Sequence, residues 1–298
     1  MHAGALKALE FDRVVEAVRS FALTPLGDAR LAALRPQTDF GAVQTALAAT
    51  TEAVKYLGDN PIFPLDAPRD LEPILAGLAI EARALEPSQL LRLADFLASV
   101  EHARGAIRQA SGAFPVLRAV AESVSTFEQE VAEVRRKIEP SGEVVDHASA
   151  ELRTIRERLR KQRARLRGTL ESYLRGKETA RYLQEQIITD RGGRYVLVIK
   201  AEHRTAIPGI VHGSSTSGAS LFLEPLSTVE VNNDIVALED SEAAEVRRIL
   251  LGLANAFRKR ALDLHRTLQA VTELDVLQAK ARFAQLVDGV EPALTTDG

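Results

Sequence analysis

Hydrophobic residues in the first 125 positions recur at the three- and four-residue spacing of α-helices. Leu9, Val14, Val18 and Phe21 follow this spacing, and Thr24-Pro25 is a typical boundary between two helices. Asp39 is a suitable N-cap for a third helix, which Gly58 and the residues after it end. Further helices are predicted at 26–34, near 70–77, at 87–109 and at 114–138.

A longer helix is predicted after the break at residues 139–142, with Ser149 as its N-cap and its end near Gly176. Its apolar positions alternate in steps of three and four, which is the seam of a coiled coil. Gln162 and Thr169 are two polar interruptions of that seam. A helix of about 28 residues at 1.5 Å per residue is roughly 42 Å long. The remaining seam positions are Leu152, Ile155, Leu159, Leu166 and Tyr173.

Helical periodicity returns from about Thr228 and continues on one face from Val231 to Val271, followed by a final helix from Leu274 to Val287. We interpret the two long segments as arms that run antiparallel to each other.

Between the two arms the pattern changes to short strands. Residues 187–189 and 195–199 are predicted strands joined by Asp190-Arg191-Gly192-Gly193, which is a hairpin signal. Residues 210–211 and 221–223 are two more strands, separated by the loop at 213–218.

The predicted fold is therefore mainly α, with a helical core, a long antiparallel coiled coil and a small β-rich region at its tip. The predicted divisions are a core at 1–125, an outgoing arm at 126–185, a β-rich tip at 186–226, a returning arm at 227–272 and a final segment at 273–298.

The composition is that of a globular protein, with 46% hydrophobic and 27% charged residues among 298. The absence of cysteine excludes disulfides and thiolate metal ligands. The sequence contains neither a signal-peptide pattern nor a stretch of about 18 uncharged apolar residues, so we expect a cytoplasmic protein without membrane contact.

Catalytic motifs are weak, and we expect no enzyme activity, no metal and no cofactor in this chain. Gly176-Lys177-Glu178-Thr179 resembles the end of a phosphate-binding loop, but Glu178 stands where serine or threonine is needed and position 171 is not glycine. The loop at 213–218 lacks the Gly-x-Ser-x-Gly pattern of a nucleophile. The six histidines have no paired spacing on a helix face.

A run of basic residues in the first arm is the strongest chemical signal. Residues 151–167 contain eight basic and two acidic side chains, although the whole chain has a net charge of −3. Such a row suits contact with the phosphates of nucleic acid. The basic residues are Arg153, Arg156, Arg158, Arg160, Lys161, Arg163, Arg165 and Arg167.

The same row has a structural interpretation, because residues that flank a coiled-coil seam usually form ion pairs across it. Glu239, Asp240, Glu242 and Glu245 are available partners in the returning arm. A simple antiparallel alignment places these acids opposite 161–167, and leaves 153–160 opposite 246–253 and unpaired. Both interpretations stay open at this point.

The β-rich tip adds a second basic area. Lys200, His203 and Arg204 lie at one predicted turn, and Ser214 and Ser215 lie in the loop at 213–218. Hydroxyl and backbone N–H groups of such a loop bind phosphate in many proteins, but an ordinary flexible hairpin connection has the same composition.

Several motifs resemble those of the MutS family, and most closely those of its bacterial type-two branch. The most specific lie between residues 193 and 233: GRYVLVIK from Gly193, IPGIVH from Ile207, SGASLFLEP from Ser217 and VNN from Val231. LEFD from Leu9, TPLG from Thr24, LRP from Leu34 and AKARFA from Ala279 continue the likeness along the chain.

The resemblance implies a core of helices, two lever arms and a clamp at their tip that closes on nucleic acid. It also implies an ATPase domain that binds ATP and Mg²⁺, formation of a homodimer and, in many members, an Smr nuclease tail, all in the full-length protein. We expect the present sequence to end before the ATPase domain. Members of the branch are associated with binding of branched or duplex DNA, suppression of homologous recombination and rescue of collided ribosomes. The alternative is a lever or protein-interaction scaffold without nucleic-acid contact.

Overall fold

The computed structural model describes residues 8–295. This part of the chain contains ten α-helices and one four-stranded antiparallel sheet. It divides into two compact units: one extends to Val144 and resumes at Leu250, and the other is Val145–Ile249. The mainly α prediction is confirmed, while the continuous coiled-coil lever and the domain boundaries stay predictions.

The first unit is a set of helices whose starts are determined by local capping chemistry. Thr24 accepts a hydrogen bond from the Gly27 N–H, and Asp39 accepts one from the Ala42 N–H, as predicted. The helices are α1 (Phe11–Arg19), α2 (Pro25–Ala32), α3 (Phe40–Asp59), α4 (Leu71–Ala79), α5 (Pro87–Gln109), α6 (Pro115–Glu122) and α7 (Glu128–Lys137). The chain later returns to this unit with the end of α9 (Leu226–Arg258) and with α10 (Ala261–Leu286).

Two helix predictions in this unit were wrong. The helix predicted at 114–138 is two helices, α6 and α7, separated at 123–127. The face predicted to be continuous from Val231 to Val271 is interrupted after Arg258, so that the last helix begins at Ala261 and not at Leu274. Arg260, which lies in the second interruption, donates to the carbonyl of Thr126 in the first and lies over the Phe127 ring. The two breaks therefore stabilise each other through contacts that are distant in sequence.

The second unit holds two antiparallel helices and the sheet. A short 3₁₀ turn (Asp146–Ala148) precedes α8 (Ala150–Arg175), and another (Ala180–Tyr182) precedes the strands. The strands are β1 (Leu183–Asp190), β2 (Tyr195–Lys200), β3 (Gly209–Ser214) and β4 (Ser220–Pro225), in the order β1-β2-β4-β3. A third 3₁₀ turn (Ala201–His203) follows β2, and α9 begins at Leu226 directly after β4.

The predicted hairpins are confirmed, and each has glycine where the backbone needs a positive φ. Gly192 and Gly193 in the β1–β2 turn have φ of +60° and +76°, and Gly218 in the β3–β4 turn has φ of +73°. All four strands are longer than the sequence pattern predicted, because pairing with a neighbouring strand extends beyond the apolar positions.

The sheet alternates its side chains between two apolar faces, as the two-residue period of a strand requires. Leu197 and Ile199 pack with α8 and α9 residues in one cluster, and Val196 and Val198 pack with Phe222 in another. Ile155 and Leu166 of α8 and Val231 and Ile235 of α9 belong to the first cluster. Burial of this cluster fixes α8, the sheet and the beginning of α9 against one another.

No helix between residues 8 and 295 combines the length and the hydrophobicity needed to span a lipid bilayer.

Candidate nucleic-acid interface

The N-terminus of α8 is fixed by Ser149, which bonds to both helices of the second unit. Its hydroxyl accepts from the Leu152 N–H (3.0 Å) and donates to Glu245 of α9 (2.6 Å). Hydrogen bonds from Arg248 and from Ser149 lower the pKa of Glu245, so this largely buried carboxylate stays ionised. The cap thereby sets where the basic residues of α8 lie along α9.

Two of the predicted arginines form ion pairs with α9. Arg156 donates to Glu242 (2.6 Å) and also to Asp146 (2.8 Å), and Arg163 donates to Glu239 (2.6 Å). Burial opposes the charge of Arg156, but its hydrogen bonds to Asp146 and Glu242 keep its pKa above the ordinary value. Since Arg156 lies opposite Glu242, the expectation that 153–160 would face 246–253 was wrong, and Arg156 itself is paired.

Three further arginines make ion pairs close to their own helix and remain exposed. Arg153 pairs with Glu157 (3.1 Å), Arg160 with Asp146 (3.0 Å) and Arg167 with Glu171 (2.9 Å). Each guanidinium has five N–H donors, and a single surface ion pair leaves several of them directed to solvent.

Arg158, Lys161 and Arg165 are exposed and form no ion pair with any residue between 8 and 295. Their spacing of three and then four residues places them on one face of α8. We call these three residues the basic face. The arm therefore contains cations without an ion pair in the described chain, and they lie on one side of the helix.

The predicted basic residues of the tip lie at the 3₁₀ turn that follows β2. Lys200 Nζ lies 3.4 Å from the Arg181 carbonyl, and His203 Nε2 lies 3.5 Å from a Glu202 carboxylate oxygen. Arg204 is exposed and unpaired within the described chain. The His203 ring packs against Tyr182, with centroids 5.0 Å apart. Sequence reasoning missed Tyr182 and Arg181, because the strand pairing that brings them to His203 is not visible in local pattern.

The serine loop is closed by its own hydrogen bonds. Ser215 accepts from the Ser220 N–H at its hydroxyl (3.1 Å), and its own N–H donates to the Ser220 carbonyl (2.9 Å). Ser214 ends β3 and is exposed. The Ser215 hydroxyl thus has a structural role, and a phosphate contact by either serine stays a prediction.

A buried carboxylate at the end of β4 is the functional-site feature that sequence reasoning missed. Glu224 is 0% exposed and accepts from Arg194 (2.8 and 3.1 Å) and from Asn232 (2.8 Å), and its Oε2 lies 2.6 Å from His212 Nε2. Asn233 accepts from the same arginine at 2.5 Å. One carboxylate therefore connects the β1–β2 hairpin, β3 and the first turns of α9. A lone acid within the apolar run of residues 220–225 was the available signal.

A nucleotide does not fit the residues around Lys177. Gly176 is the C-cap of α8, so Lys177 follows the end of a helix, whereas the lysine of a phosphate-binding loop stands at the start of one. Among the described residues, no three histidine or acidic side chains are grouped as metal ligands would be.

These features define a class: a mainly helical protein in which a small antiparallel sheet lies between two antiparallel helices. No family model matches the chain. It is, however, 37% identical over 292 residues to "Endonuclease MutS2" of Symbiobacterium thermophilum, covering 98% of this chain and 36% of the relative. The proteins of the same name from Pelotomaculum thermopropionicum and Geobacillus kaustophilus are 35% and 36% identical, over 97% and 100% of this chain and 37% and 38% of their own lengths.

The chain belongs to the MutS2 family, the type-two branch of MutS proteins. It spans a little over one third of the length of the curated relatives that it matches.

Proposed function

We propose that this part of a MutS2-family protein binds the phosphate backbone of nucleic acid through the basic face of α8 and carries out no chemistry itself. The observation that supports the proposal is the set of three exposed cations, Arg158, Lys161 and Arg165, without an acidic partner in residues 8–295. Each phosphate that such a cation neutralises releases condensed counterions, which favours binding.

The basic face has no evident role in folding. Lys161 and Arg165 stand four residues apart on one helix, where like charges destabilise a helix by about 0.2–0.5 kcal/mol. A helix selected for stability alone would place an acid at one of these positions, as it does at Glu157 and Glu171. The repulsion between Lys161 and Arg165 would be relieved by a negatively charged partner, which favours a binding role for the basic face.

The relatives' name supports nucleic acid as that partner, because an endonuclease cleaves within nucleic-acid strands. We propose duplex or branched DNA as the substrate of the full-length protein, and suppression of homologous recombination as its role. Contact with ribosomal RNA during rescue of collided ribosomes would use the same cation–phosphate chemistry. Cytoplasmic location and a homodimer belong to the same proposal. ATP and Mg²⁺ binding and nuclease activity are proposed for parts of the protein other than residues 1–298.

A second candidate function is a structural lever or protein-interaction scaffold. Arg156 and Arg163 support it, because their ion pairs with Glu242 and Glu239 hold α8 to α9 and leave these two arginines less able to contact a ligand. The two functions divide the arginines into two sets, and each set can be changed separately.

The test changes Arg158, Lys161 and Arg165 together to glutamine and measures affinity for duplex DNA and for a four-way junction over a salt series. Each lost phosphate contact lowers the slope of log K against log salt concentration by about 0.9, so we expect a slope reduced by about 2–3. Changing Arg135, Arg136 and Lys137 of α7 to glutamine alters the net charge equally and is the matched control.

An unchanged slope and affinity in the Arg158, Lys161 and Arg165 variant would contradict direct phosphate contact. The scaffold function predicts instead that Arg156→Gln with Arg163→Gln lowers the thermal midpoint and leaves binding unaltered. Purified ribosomes as a third ligand separate the DNA role from the ribosomal one, since tighter binding to ribosomes than to the junction would favour the latter.

A further inference from the structure

Two 3₁₀ turns in the second unit bring an aromatic pair and three cations together. The Tyr182 and His203 rings lie 5.0 Å apart with an interplanar angle of 60°. The Arg181 guanidinium lies 5.0 Å from the centre of the Tyr182 ring and donates to the Tyr182 hydroxyl (2.9 Å). Lys200, the last residue of β2, and Arg204 stand directly before and after the turn that contains His203. We call these five residues the turn cluster.

Strand pairing produces the cluster. β1 and β2 are antiparallel neighbours, and Leu183 at the start of β1 lies opposite Ile199 near the end of β2. Residues just before β1 and just after β2 must therefore meet at the same end of the sheet. The 3₁₀ turns at Ala180–Tyr182 and Ala201–His203 are those residues.

Packing accounts for only part of this arrangement. Tyr182 packs partly against the apolar cluster between the sheet and the helices, which fixes its ring. The His203 side chain is 35% exposed. A partly exposed imidazole held against a fixed tyrosine provides a rigid aromatic surface at little cost in side-chain entropy.

The charge around the rings is positive. Glu178 is neutralised by its pair with Arg181 (2.5 Å), and Glu202 is a loose partner of His203 at 3.5 Å. Lys200 and Arg204 have no acidic partner within residues 8–295. Aromatic rings with adjacent unpaired cations are the combination by which proteins bind single strands, with bases stacked on the rings and phosphates beside the cations.

We propose that the turn cluster binds an unpaired nucleotide, with the base stacked against His203 and Tyr182 and its phosphate held by Lys200 and Arg204. This deepens the proposed function, on which it rests, because the basic face of α8 contacts phosphates of any strand whereas the turn cluster selects a strand with unstacked bases.

The test uses the full 298-residue chain and two probes of equal length, about 12 nucleotides, that is, within the range of single-strand site sizes. One probe is oligo-deoxythymidine and the other is an abasic oligomer with the same phosphates and no bases. We expect the chain to bind oligo-deoxythymidine more tightly than the abasic oligomer. In His203→Ala and in Tyr182→Leu we expect oligo-deoxythymidine affinity to fall by roughly 5-fold to 100-fold and the abasic affinity to stay the same.

The chain offers a matched control in His147, an exposed histidine in another three-residue 3₁₀ turn, whose change to alanine should alter neither affinity. Tyr182→Phe keeps the ring and should keep the preference, and an unchanged abasic affinity in the other two variants excludes misfolding as the cause of the loss. Stacking also predicts that His203→Ala leaves the salt slope unchanged, whereas Arg204→Gln lowers it by about 0.7. An oligo-uridine arm tests whether DNA or RNA is the source of the base.

Equal affinity for the two probes, or a preference that survives both His203→Ala and Tyr182→Leu, would overturn the proposal. Absence of any single-strand binding would overturn it as well, while duplex binding sensitive to Arg158, Lys161 and Arg165 would leave the proposed function standing. A preference for oligo-deoxythymidine over the abasic oligomer, with duplex binding unaffected by changes at Arg158, Lys161 and Arg165, would support the turn cluster and contradict phosphate contact by the basic face.

Discussion

At the scale of a single residue, Glu224 connects four of the sequence motifs named above. Its carboxylate is fully buried, and a buried charge needs a partner and filled hydrogen bonds. Arg194, His212 and Asn232 provide them from three different segments. The motifs GRYVLVIK, IPGIVH, SGASLFLEP and VNN each contribute one member of this group, so one interaction connects all four.

Gly27 and Asp275 form a second group of this kind in the first unit. The fully buried Asp275 accepts from the backbone N–H groups of Leu23 and Thr24 and from the Thr24 hydroxyl. A side chain at Gly27 would overlap this carboxylate. Glycine is therefore needed in the TPLG motif for space, and not for an unusual backbone angle.

We expect Gly27→Ala to lower the free energy of unfolding of the first unit by about 2–4 kcal/mol, because the added methyl group must displace a buried, fully hydrogen-bonded carboxylate. Amide hydrogen exchange of α2 and α10 measures the loss. Gly58→Ala is the control: no atom lies within 4 Å of the added methyl group, and alanine should stabilise the helix by up to about 1 kcal/mol. Equal effects of the two substitutions on the free energy of unfolding would show that steric overlap with Asp275 is not the cause.

At the scale of elements, the beginning of α8 is held by a charge pair that precedes the helix. Asp146 in the 3₁₀ turn bonds to Arg156 (2.8 Å) and Arg160 (3.0 Å), which lie in the second and third turns of α8. The hydrogen bonds from Arg156 and then Arg160 lower the pKa of Asp146 below its ordinary 3.8. The ionised form is thus favoured in the folded state.

A lowered pKa in the folded state means that the stabilisation is complete above the unfolded value near 3.8 and disappears as the pH falls through the lower folded value. Asp146→Asn should therefore cost about 0.5–1 kcal/mol at neutral pH, as expected for partly exposed pairs, and nothing in strong acid. Urea unfolding of both proteins between pH 2 and pH 7, followed by a probe in α8, measures the difference. A constant difference over this range would show that the charge of Asp146 is not its cause.

Local chemistry made some elements predictable and left others beyond reach. Thr24, Asp39 and Ser149 cap helices with their own side chains, and Gly192-Gly193 allows a tight turn, so the neighbouring sequence contains the signal. The breaks at 123–127 and 259–260 contain neither glycine nor proline. They exist because the Arg260 guanidinium and the Thr267 hydroxyl bond to the backbone of 125–126, which only the folded chain brings near.

The candidate site was also predictable only in part. The basic run of residues 151–167 was evident from composition, but the pairing register of α8 on α9 was not, because two polar seam positions allow several alignments. The Ser149–Glu245 and Arg156–Glu242 contacts determine that register. This register decides which cations stay free of ion pairs, and therefore which residues form the basic face.

At the scale of the whole molecule, each of the two units has its own apolar core. Val18, Leu31 and Ala279 belong to a cluster in the first unit, and Leu166, Leu197 and Ile235 to the cluster in the second. Because each unit has a separate core, a substitution in one unit should lower mainly the stability of that unit.

We expect Glu224→Ala, which leaves Arg194 and His212 without their carboxylate, to cost about 3–5 kcal/mol in the second unit. Hydrogen exchange should become roughly 100-fold faster or more in β2, β3 and β4, and stay unchanged in α3 and α5. Glu230→Ala, an exposed acid on α9, is the matched control. Equal acceleration in both units would mean that the chain unfolds as one cooperative body.

The junction of β4 and α9 has a mechanical consequence. The strand ends at Pro225 and the helix begins at Leu226, and the Leu226 N–H and the Thr228 hydroxyl bond to the carbonyls of Pro208 and Pro225. No residue is left to absorb torsion between them, so a rotation of α9 about its axis must turn the sheet with it. The other connection, residues 176–182 between α8 and β1, is seven residues long. A rotation of α9 is therefore transmitted to the sheet directly, and a rotation of α8 only through this longer connection.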